Sequence, residues 1–216
     1  MQNIEIKNSN LPVEYESAVE FMKKKIEQIQ NGKSKELIWF LTHENIYTQG
    51  TSSSMNEIIK KNKIKVIRTN RGGKTTYHGP GQRIIYFMIN LNYRKKDIRK
   101  FINLLEESII TFLSNYGIRS RSFKNRVGVW VTEIKGLKLK KEKKIAAIGL
   151  RVSKWITYHG LSFNINPNLE NYNYINSCGL SGYKNTSLDE LGIKINVSEF
   201  DKYLKDILIE KLNNFN

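Results

Sequence analysis

The chain has one cysteine, Cys178, and the residues around it raise a question of chemistry. Cys178 lies in YINSCGLSGYKNTSL, residues 174–188, between Ser177 and Gly179. A cysteine that only fills a core would be expected among apolar neighbours, although a lone cysteine is usually a buried, unreactive residue. The thiolate is the nucleophilic form, and a nearby ammonium lowers the pKa of a thiol below its usual value of about 8.5. Cys178 is therefore a candidate nucleophile if a basic side chain lies beside it.

Lys144 is the basic side chain that the sequence offers first as a partner for Cys178. It opens KIAAIG, residues 144–149, whose small apolar residues permit another backbone or a substrate to approach closely. The alternative is an ordinary solvated lysine at the mouth of a buried strand, and position along the chain does not establish contact. If the two side chains lie close together, Lys144 would stabilise the Cys178 thiolate and accept its proton.

A glycine-rich stretch, RGGKTTYHGPGQ at residues 71–82, is the second candidate for a site. Its four glycines and one proline exclude a helix and a central strand, and they allow backbone N–H groups to approach a ligand. An ordinary turn between two strands is the alternative, but a turn does not require His, Gln and Arg as well. The spacing fits neither a phosphate loop nor a dinucleotide fingerprint. The side-chain donors of the stretch are Arg71, Thr75, Thr76, Tyr77, His78 and Gln82.

A second His-Gly pair, His159–Gly160, lies in YHGLSFNIN at residues 158–166. A single histidine in a strand is more often a satisfied core residue than a catalyst. We therefore expect His78 and His159 to shape a pocket rather than to transfer protons.

Three apolar stripes of helical period predict the helices that must position these residues. The helices are predicted at residues 12–30, 97–116 and 198–213. Gly117 is expected to end the second helix, and Ser198 is the candidate N-cap of the third.

Six apolar runs predict strands, which gives the chain an α+β pattern. Residues 135–143, a run rich in lysine, are interpreted as a basic and flexible turn between two of these strands. We expect one mixed, largely antiparallel sheet flanked by helices, and a single domain over residues 1–216. The runs are ELIWFLTHE (36–44), KVIRT (65–69) and RIIYFMINL (83–91), then an antiparallel meander of 126–134, 144–152 and 155–165.

The net charge is +16, from 36 Lys and Arg against 20 Asp and Glu. Such a field favours an acidic partner, but the lysines are scattered and the chain is also rich in Ile and Asn, so compositional drift is an alternative origin. A basic nucleic-acid-binding module is a competing interpretation, supported by the charge and by 11% aromatic residues. Against it, the aromatic residues are not interleaved with the basic runs, and no nucleic-acid-binding signature is present.

Several classes of protein are disfavoured by the sequence. The first residues carry acidic side chains and no apolar run, so we expect no signal peptide, and no stretch has the ~18 apolar residues of a membrane helix. One cysteine cannot form an internal disulfide, and no Cys/His cluster has zinc spacing. We expect a cytoplasmic protein with no metal and no membrane or nucleic-acid partner.

Taken together, the motifs resemble those of the octanoyl-[acyl-carrier-protein]:protein N-octanoyltransferases, the lipoyl (octanoyl) transferases of lipoate biosynthesis. They occur in the family's order between residues 71 and 188, and the glycine-rich motif is the most specific of them. An earlier stretch, THENIYTQG at 42–50, resembles the family's first strand-end motif. The matching segments are RGGKTTYHGPGQ at 71–82, KIAAIG at 144–149, HGLSFN at 159–164, CG at 178–179 and TSL at 186–188.

The resemblance implies a fold of the biotin/lipoate protein ligase type, which is class II synthetase-like, and an acyltransferase that needs no cofactor. It implies transfer of an octanoyl group from octanoyl-acyl carrier protein to a lysine of lipoyl domains, which belong to the E2 subunits of 2-oxoacid dehydrogenases and to the glycine cleavage H protein. It also favours a monomer. Cys178 corresponds to the acyl-thioester nucleophile and Lys144 to the lysine that activates it. The segments that correspond to substrate-binding residues are Arg71, Gly72, Gly73, Lys74, Thr75, Thr76, Tyr77 and His78; Ala147, Ile148 and Gly149; and Gly160, Leu161 and Ser162.

The sequence departs from the family pattern at positions that carry no reacting group. Ser177 stands where the family usually has proline before the cysteine, which leaves the local backbone less constrained. Ser162 replaces the usual alanine. His159 and Gln82 are further candidates for the pocket, and AAIG and GLSF are candidates to line an apolar slot for the octanoyl chain. An ATP-dependent lipoate or biotin ligase on the same fold is the runner-up, since that reaction needs no cysteine.

Overall fold

The computed structural model describes residues 4–60, 62–176 and 182–215 of the chain. In these residues, eight strands form a large sheet, three form a small sheet, and three α-helices flank the large sheet. The helices are α1 (Tyr15–Gln30), α2 (Ile98–Ser114) and α3 (Val197–Asn213). The strands are β1 (Glu5–Asn8), β2 (Leu37–Leu41), β3 (Ile46–Gln49), β4 (Lys65–Arg68), β5 (Thr76–His78), β6 (Gln82–Met88), β7 (Ile118–Phe123), β8 (Arg126–Ile134), β9 (Leu137–Ser153), β10 (Ile156–Asn164) and β11 (Lys184–Asn185).

The large sheet has the strand order β1-β2-β6-β10-β9-β8-β7, and β11 also pairs with β9. Its β1–β2 and β9–β11 pairs are parallel, and its other pairs are antiparallel. The predicted fold class, α+β with a mixed and largely antiparallel sheet, is confirmed. The meander is also confirmed, because β8, β9 and β10 are neighbours in chain order. The expectation of one sheet was wrong, since β3, β4 and β5 form a second sheet in the order β4-β3-β5.

Alternating side chains give the centre of the large sheet two different faces. Ile85 of β6 lies in a core formed with α2 and α3, where the rings of Phe112 and Phe200 meet with centroids 5.0 Å apart. Its neighbour Ile84 lies in a second core, formed with α1. Because both faces are covered at this point, β2 and β6 are buried along their whole length.

The helix interiors match the prediction, and the differences lie at the ends. α1 begins three residues later than predicted, after Glu14, whose carboxylate accepts the Ser17 N–H at 2.6 Å. The N-cap of α3 is Asn196, whose side chain accepts the Glu199 N–H at 2.8 Å. The assignment of Ser198 as that cap was therefore wrong: Ser198 lies inside the first turn.

The lysine-rich segment 135–143 is mostly strand, so its interpretation as a flexible turn was wrong. Only Lys135 and Gly136 form the turn, both with positive φ, and β9 begins at Leu137. Two consecutive residues with positive φ suit the two-residue hairpin turn that joins β8 to β9. Lys144 consequently lies in the interior of a long strand and not at its mouth.

Short strands account for most of the other differences. β1, β3, β7 and β11 were not predicted, and the strand within 36–44 is limited to Leu37–Leu41. Part of the glycine-rich stretch, Thr76–His78, forms β5 at an edge of the small sheet, although the whole stretch was interpreted as a loop. None of the helices in the described ranges is long and apolar enough to cross a lipid bilayer.

Candidate active site

A cavity of 410 Å³ opens on the face of the large sheet that also carries α1. It is lined by strands β6, β9 and β10 on one side and by the glycine-rich stretch on another. Thirteen of the predicted site residues contribute to its lining, which brings together three motifs far apart in the sequence. They are Arg71, Gly73, Lys74, Thr76, His78, Lys144, Ala147, Ile148, Gly149, His159, Gly160, Leu161 and Ser162.

Arg71 ties the glycine-rich stretch to the small sheet. Its guanidinium donates to Thr48 of β3, through Nε to Oγ1 at 3.0 Å and through Nη2 to the carbonyl oxygen at 2.6 Å. It also donates to two carbonyl oxygens of its own stretch, those of Gly72 at 2.9 Å and Lys74 at 2.7 Å. Arg71 is buried, so the planar guanidinium fixes the shape of the loop that borders the cavity.

Glycines allow this loop to lie directly on β9. The Gly72 N–H donates to the Leu150 carbonyl at 3.0 Å, on the part of β9 that lies beyond its last pair with β8, Val129–Ala146. A Cβ at Gly149 would lie 2.8 Å from the Gly72 carbonyl oxygen, and one at Gly72 would lie 2.8 Å from the Leu150 oxygen. Both positions therefore require glycine for the loop to reach the strand.

The His159–Gly160 pair shapes the cavity where β10 meets β6. A Cβ at Gly160 would lie 2.0 Å from the Ile85 carbonyl oxygen, so no other residue fits there. His159 has φ of +57°, the left-handed region that a side chain rarely adopts. This conformation turns the imidazole towards α1, where it lies against Tyr15 with ring centroids 6.4 Å apart. Strain of this kind costs of order 1–3 kcal/mol and is typical of binding sites.

All three histidines of the chain gather around Tyr15 and Tyr86. His43 donates from Nδ1 to the Val13 carbonyl at 2.6 Å, and its Nε2 accepts the Tyr86 hydroxyl at 2.7 Å. Burial lowers the pKa of His43 to about 4 and that of His159 to about 3, and it holds the pKa of His78 well below its usual value. The imidazoles are thus neutral at pH 7. In the described parts of the chain, no group of three His, Cys, Asp or Glu side chains is arranged to hold a metal ion.

Lys144 borders the cavity and is only 4% exposed. Its Nζ lies 4.8 Å from the centroid of the Trp130 ring, and its Cε lies 2.9 Å from the position a Cβ would take at Gly128. Its strand position pairs with Asn185 of β11, and its carbonyl accepts the Thr186 N–H at 2.8 Å. The alternative of a solvated lysine at a strand end was therefore wrong.

Four predicted site residues lie outside the cavity lining. The Thr75 N–H donates to Glu57 Oε2 at 2.8 Å, and the Tyr77 hydroxyl donates to Asn45 Oδ1 at 2.6 Å. Gln82 accepts from His78 Nδ1 at 2.7 Å through its amide oxygen, and Gly72 contacts β9 as described above. Cys178 lies outside the described residues.

Some lining residues were missed in the sequence. Tyr15 begins α1, Ile84 and Tyr86 belong to β6, and Arg126 opens β8. The three apolar or aromatic residues sit in periodic runs typical of any core, so only the tertiary structure distinguishes them. The arrangement as a whole brings the buried Lys144 together with neutral imidazoles and with Arg71, a buried arginine that donates to Thr48 and to its own loop.

Comparison with known protein families gives a match over most of the chain. The family model for the lipoyl protein ligase A/B catalytic domain matches residues 14–209. An octanoyltransferase of Ehrlichia chaffeensis (strain ATCC CRL-10679 / Arkansas) is 46% identical over 214 residues, which cover 99% of this chain and 98% of that relative. An octanoyltransferase of Wolbachia pipientis wMel is 46% identical over 198 residues, covering 91% and 94%.

Two of the solved structures that superpose on this chain come from protein ligases. A chain from an archaeal lipoylation system, a bi-partite lipoate protein ligase and its E2 lipoyl domain from Thermoplasma acidophilum, superposes with a TM-score of 0.70 at 16% identity, covering 98% of this chain and 85% of that chain. A biotin protein ligase from Aquifex aeolicus gives a TM-score of 0.54 at 14% identity, covering 100% and 71%. At such identities the likeness concerns the fold, and it confirms the expected biotin/lipoate protein ligase-like architecture.

Proposed function

The chain belongs to the lipoyl protein ligase A/B catalytic-domain family and, within it, to the octanoyltransferases, and from that premise we propose its reaction in detail. The proposed donor is octanoyl-acyl carrier protein, and the acceptor is a lysine amine of a lipoyl domain. The E2 subunits of 2-oxoacid dehydrogenases and the glycine cleavage H protein carry such domains. The proposed catalytic domain spans residues 1–216, acts as a monomer in the cytoplasm and uses no cofactor.

The reaction divides into two acyl transfers through Cys178. In the first, the Cys178 thiolate attacks the donor's thioester carbonyl, and the pantetheine thiolate leaves and takes up a proton. One thioester replaces another, so this step changes the free energy little. In the second, the acceptor amine attacks the Cys178 thioester, the thiolate is released, and the amide that forms makes the step favourable. Splitting one difficult transfer into two is the advantage of a covalent nucleophile.

The observation that carries the proposal is the position of Lys144, a buried lysine that borders the cavity. The described residues on either side of the Cys178 segment are both connected to this site. On one side, the Asn176 N–H donates to the Glu57 carbonyl at 2.7 Å, and the Glu57 carboxylate accepts the Thr75 N–H. On the other side, Asn185 pairs with Lys144 itself. These connections support a Cys178–Lys144 pair.

Lys144 has two roles in this mechanism. Its ammonium stabilises the Cys178 thiolate, and its neutral form takes a proton from the incoming amine, which is mostly protonated at neutral pH. Backbone N–H groups of the glycine-rich stretch and near Cys178 are the candidate donors to the oxyanion of each tetrahedral intermediate. His78 and His159 are assigned to pocket shape, since burial keeps both imidazoles neutral.

Apolar residues around the cavity suit the eight-carbon chain. Ile84, which belongs to the core on the α1 face, borders the cavity and is almost fully buried, and Ala147 of β9 lines the cavity as well. Burying a chain in such a slot contributes about 0.8 kcal/mol per methylene, so the slot favours an acyl chain over a short acetyl group.

A basic groove lies towards the hairpin end of β9. It is lined by Lys138, Lys140 and Lys141 of β9 and by Arg119 and Arg121 of β7, which is separated from β9 by β8. This groove suits an acidic carrier protein, which its positive charge would attract.

An ATP-dependent ligase is the competing reaction on this fold. Adenylation of a free acid needs ATP and no nucleophilic cysteine, whereas the present proposal needs Cys178 and no nucleotide. The two are distinguished by omitting ATP.

The decisive experiment is intact-protein mass spectrometry after mixing with octanoyl-acyl carrier protein and no ATP. We expect a hydroxylamine-labile octanoyl adduct on the natural chain and none on Cys178→Ser. Acylation of a lipoyl domain by the serine variant at the natural rate would contradict the thioester mechanism. In the same preparations, Lys144→Ala should slow alkylation of Cys178 at pH 7, and equal rates would remove Lys144 from its assigned role.

A further inference from the structure

A buried carboxylate of α2 is hydrogen-bonded to the part of β8 against which the Lys144 side chain lies. Glu106 of α2 is 4% exposed, between the core residue Leu105 and the exposed Glu107. An ionised side chain at such a position costs free energy that an apolar residue would not. The chain retains a carboxylate there, which calls for a role that an apolar residue does not fill.

Glu106 is connected to Lys144 through Gly128. The Gly128 N–H donates to Glu106 Oε1 at 2.8 Å, next to the irregularity in the pairing of β8 with β9. Gly128 has φ of +120°, and a Cβ there would lie 2.9 Å from Lys144 Cε and 3.4 Å from Nζ. The missing side chain thus provides the space that the Lys144 side chain occupies, and Glu106 holds the backbone that leaves this space.

Glu106 and Lys144 also interact electrostatically. Burial raises the pKa of the Glu106 carboxyl, while the Gly128 N–H and the positive charge of Lys144 act in the opposite direction. The other groups that bear on Glu106 are the Ser122 hydroxyl of β7 and the negative charge of Glu107 on α2 itself. Arg126 also lines the cavity near Lys144, and it pairs with Glu142 at 3.8 Å.

We propose that Glu106 is a positioning residue for Lys144, holding its place through Gly128 and placing a negative charge near its amino group. Nucleophilic sites share this pattern, in which a third group orients the base that activates the nucleophile. Here the order is carboxylate, ammonium and thiolate. This part of the inference rests on the proposed role of Cys178, whereas the coupling of Glu106 to Lys144 does not.

The test compares Glu106→Gln with two matched variants. The glutamine keeps an oxygen that can accept the Gly128 N–H but has no charge. Glu106→Asp keeps the charge and shortens the reach to Gly128. Glu107→Gln removes the same charge one residue away, on the exposed side of α2. For each chain, the pH dependence is measured for single-turnover octanoyl transfer and for alkylation of Cys178 by iodoacetamide, with a thermal melt to establish folding.

Removing a negative charge favours the less protonated form of every titrating group near it. We therefore expect both limbs of the transfer profile, and the rise of the alkylation rate, to move to lower pH by about one unit in Glu106→Gln. Glu107→Gln should leave them in place. Glu106→Asp should lower the rate without moving the profile.

Two results would overturn the proposal. One is a Glu106→Gln profile that coincides with that of the natural chain. The other is a loss of rate at every pH with no displacement, which would reduce Glu106 to a support for Gly128. A failure of the proposed function is read separately, from the adduct on Cys178, because the displacement of the alkylation profile does not require that Cys178 carry the acyl group.

Discussion

The two faces of the large sheet are built from the same strands but have different contents. The face towards α2 and α3 is a continuous apolar core that includes Phe112, Phe163 and Phe200. The face towards α1 carries the three histidines, Tyr15, Tyr86 and the 410 Å³ cavity. Within β10, Phe163 points into the core while its neighbour Ser162 lines the cavity. Strand alternation therefore lets one side of the sheet hold the larger apolar core while the other holds the strained His159 and the cavity.

Truncating one large side chain on each face should separate these two contributions most strongly. Phe112→Ala leaves a cavity in the α2 and α3 core and should lower the free energy of unfolding by about 4 kcal/mol. Ile84→Ala, on the α1 face, borders space that is already open, so we expect a loss nearer 2 kcal/mol. Urea denaturation measures both.

The acyl-chain preference of Phe112→Ala and Ile84→Ala provides a control that does not depend on stability. We expect Ile84→Ala to shift transfer towards chains longer than octanoyl, because the slot is enlarged, and Phe112→Ala to leave the preference of the folded protein unchanged. A changed chain-length preference in Phe112→Ala alone would mean that the two faces are not independent.

Mild acid should lower the free energy of unfolding, because the three histidines on the α1 face are buried in their neutral form. A histidine in the unfolded chain has a pKa of about 6.5, whereas burial places that of His43 at about 4 and that of His159 at about 3 and also lowers that of His78. As the pH falls below 6.5, the unfolded chain binds protons that the folded chain does not, so stability is lost on acidification.

Between pH 7.5 and 5.5 the expected loss is about 1.4 kcal/mol per histidine, or about 4 kcal/mol for all three. Urea midpoints at the two pH values measure it, and this window lies above the range in which ordinary carboxyl groups titrate. His43→Gln should reduce the loss by roughly a third. Equal midpoints at both pH values would show that the histidines are charged in the folded protein.

The smallest expected effect concerns the basic groove at the hairpin end of β9. Lys138→Glu with Lys140→Glu should raise the KM for octanoyl-acyl carrier protein by about three- to tenfold at low salt, with kcat little changed. Lys33→Glu with Lys35→Glu makes the same charge change beyond the end of α1, some 22 Å along the helix from Tyr15. If both pairs raise the KM equally, the net charge of the protein matters and this groove does not.

The fold was predictable where the pattern was long and regular. Residues 126–134 form a strand with the predicted ends, because RVGVWVTEI alternates and is followed by a turn. The helix caps were less predictable, since Asn196 and Ser198 are both good caps and tertiary packing selects between them. The segment 135–143 was misinterpreted because its charge suggested a loop, although Leu137 and Leu139 already alternate with lysines as a strand requires.

The site was predictable where it uses unusual residues. The glycine-rich stretch with its His78, and the His159–Gly160 pair within a strand pattern, indicated the loop and β10. The structure brings these residues to one cavity together with Lys144. Ile84 and Tyr86 could not be found in this way, because their neighbours are equally apolar. Glu106 was missed for a different reason: a carboxylate in an amphipathic helix normally indicates the exposed side, and only the packing reveals that this one is buried.

The hairpin turn at Lys135 and Gly136 can change in length without altering the part of β9 that lines the cavity. Beyond Lys144, eight consecutive residues of β9, Ala146 to Ser153, pair with β10. On the other side of the strand, the pairing with β8 is irregular at two places, so a change in length at the turn can be absorbed before it reaches the cavity. Insertions at this exposed tip should therefore be tolerated. The residues of this hairpin tip can therefore differ between relatives, or carry an engineered tag, while the cavity residues keep their positions.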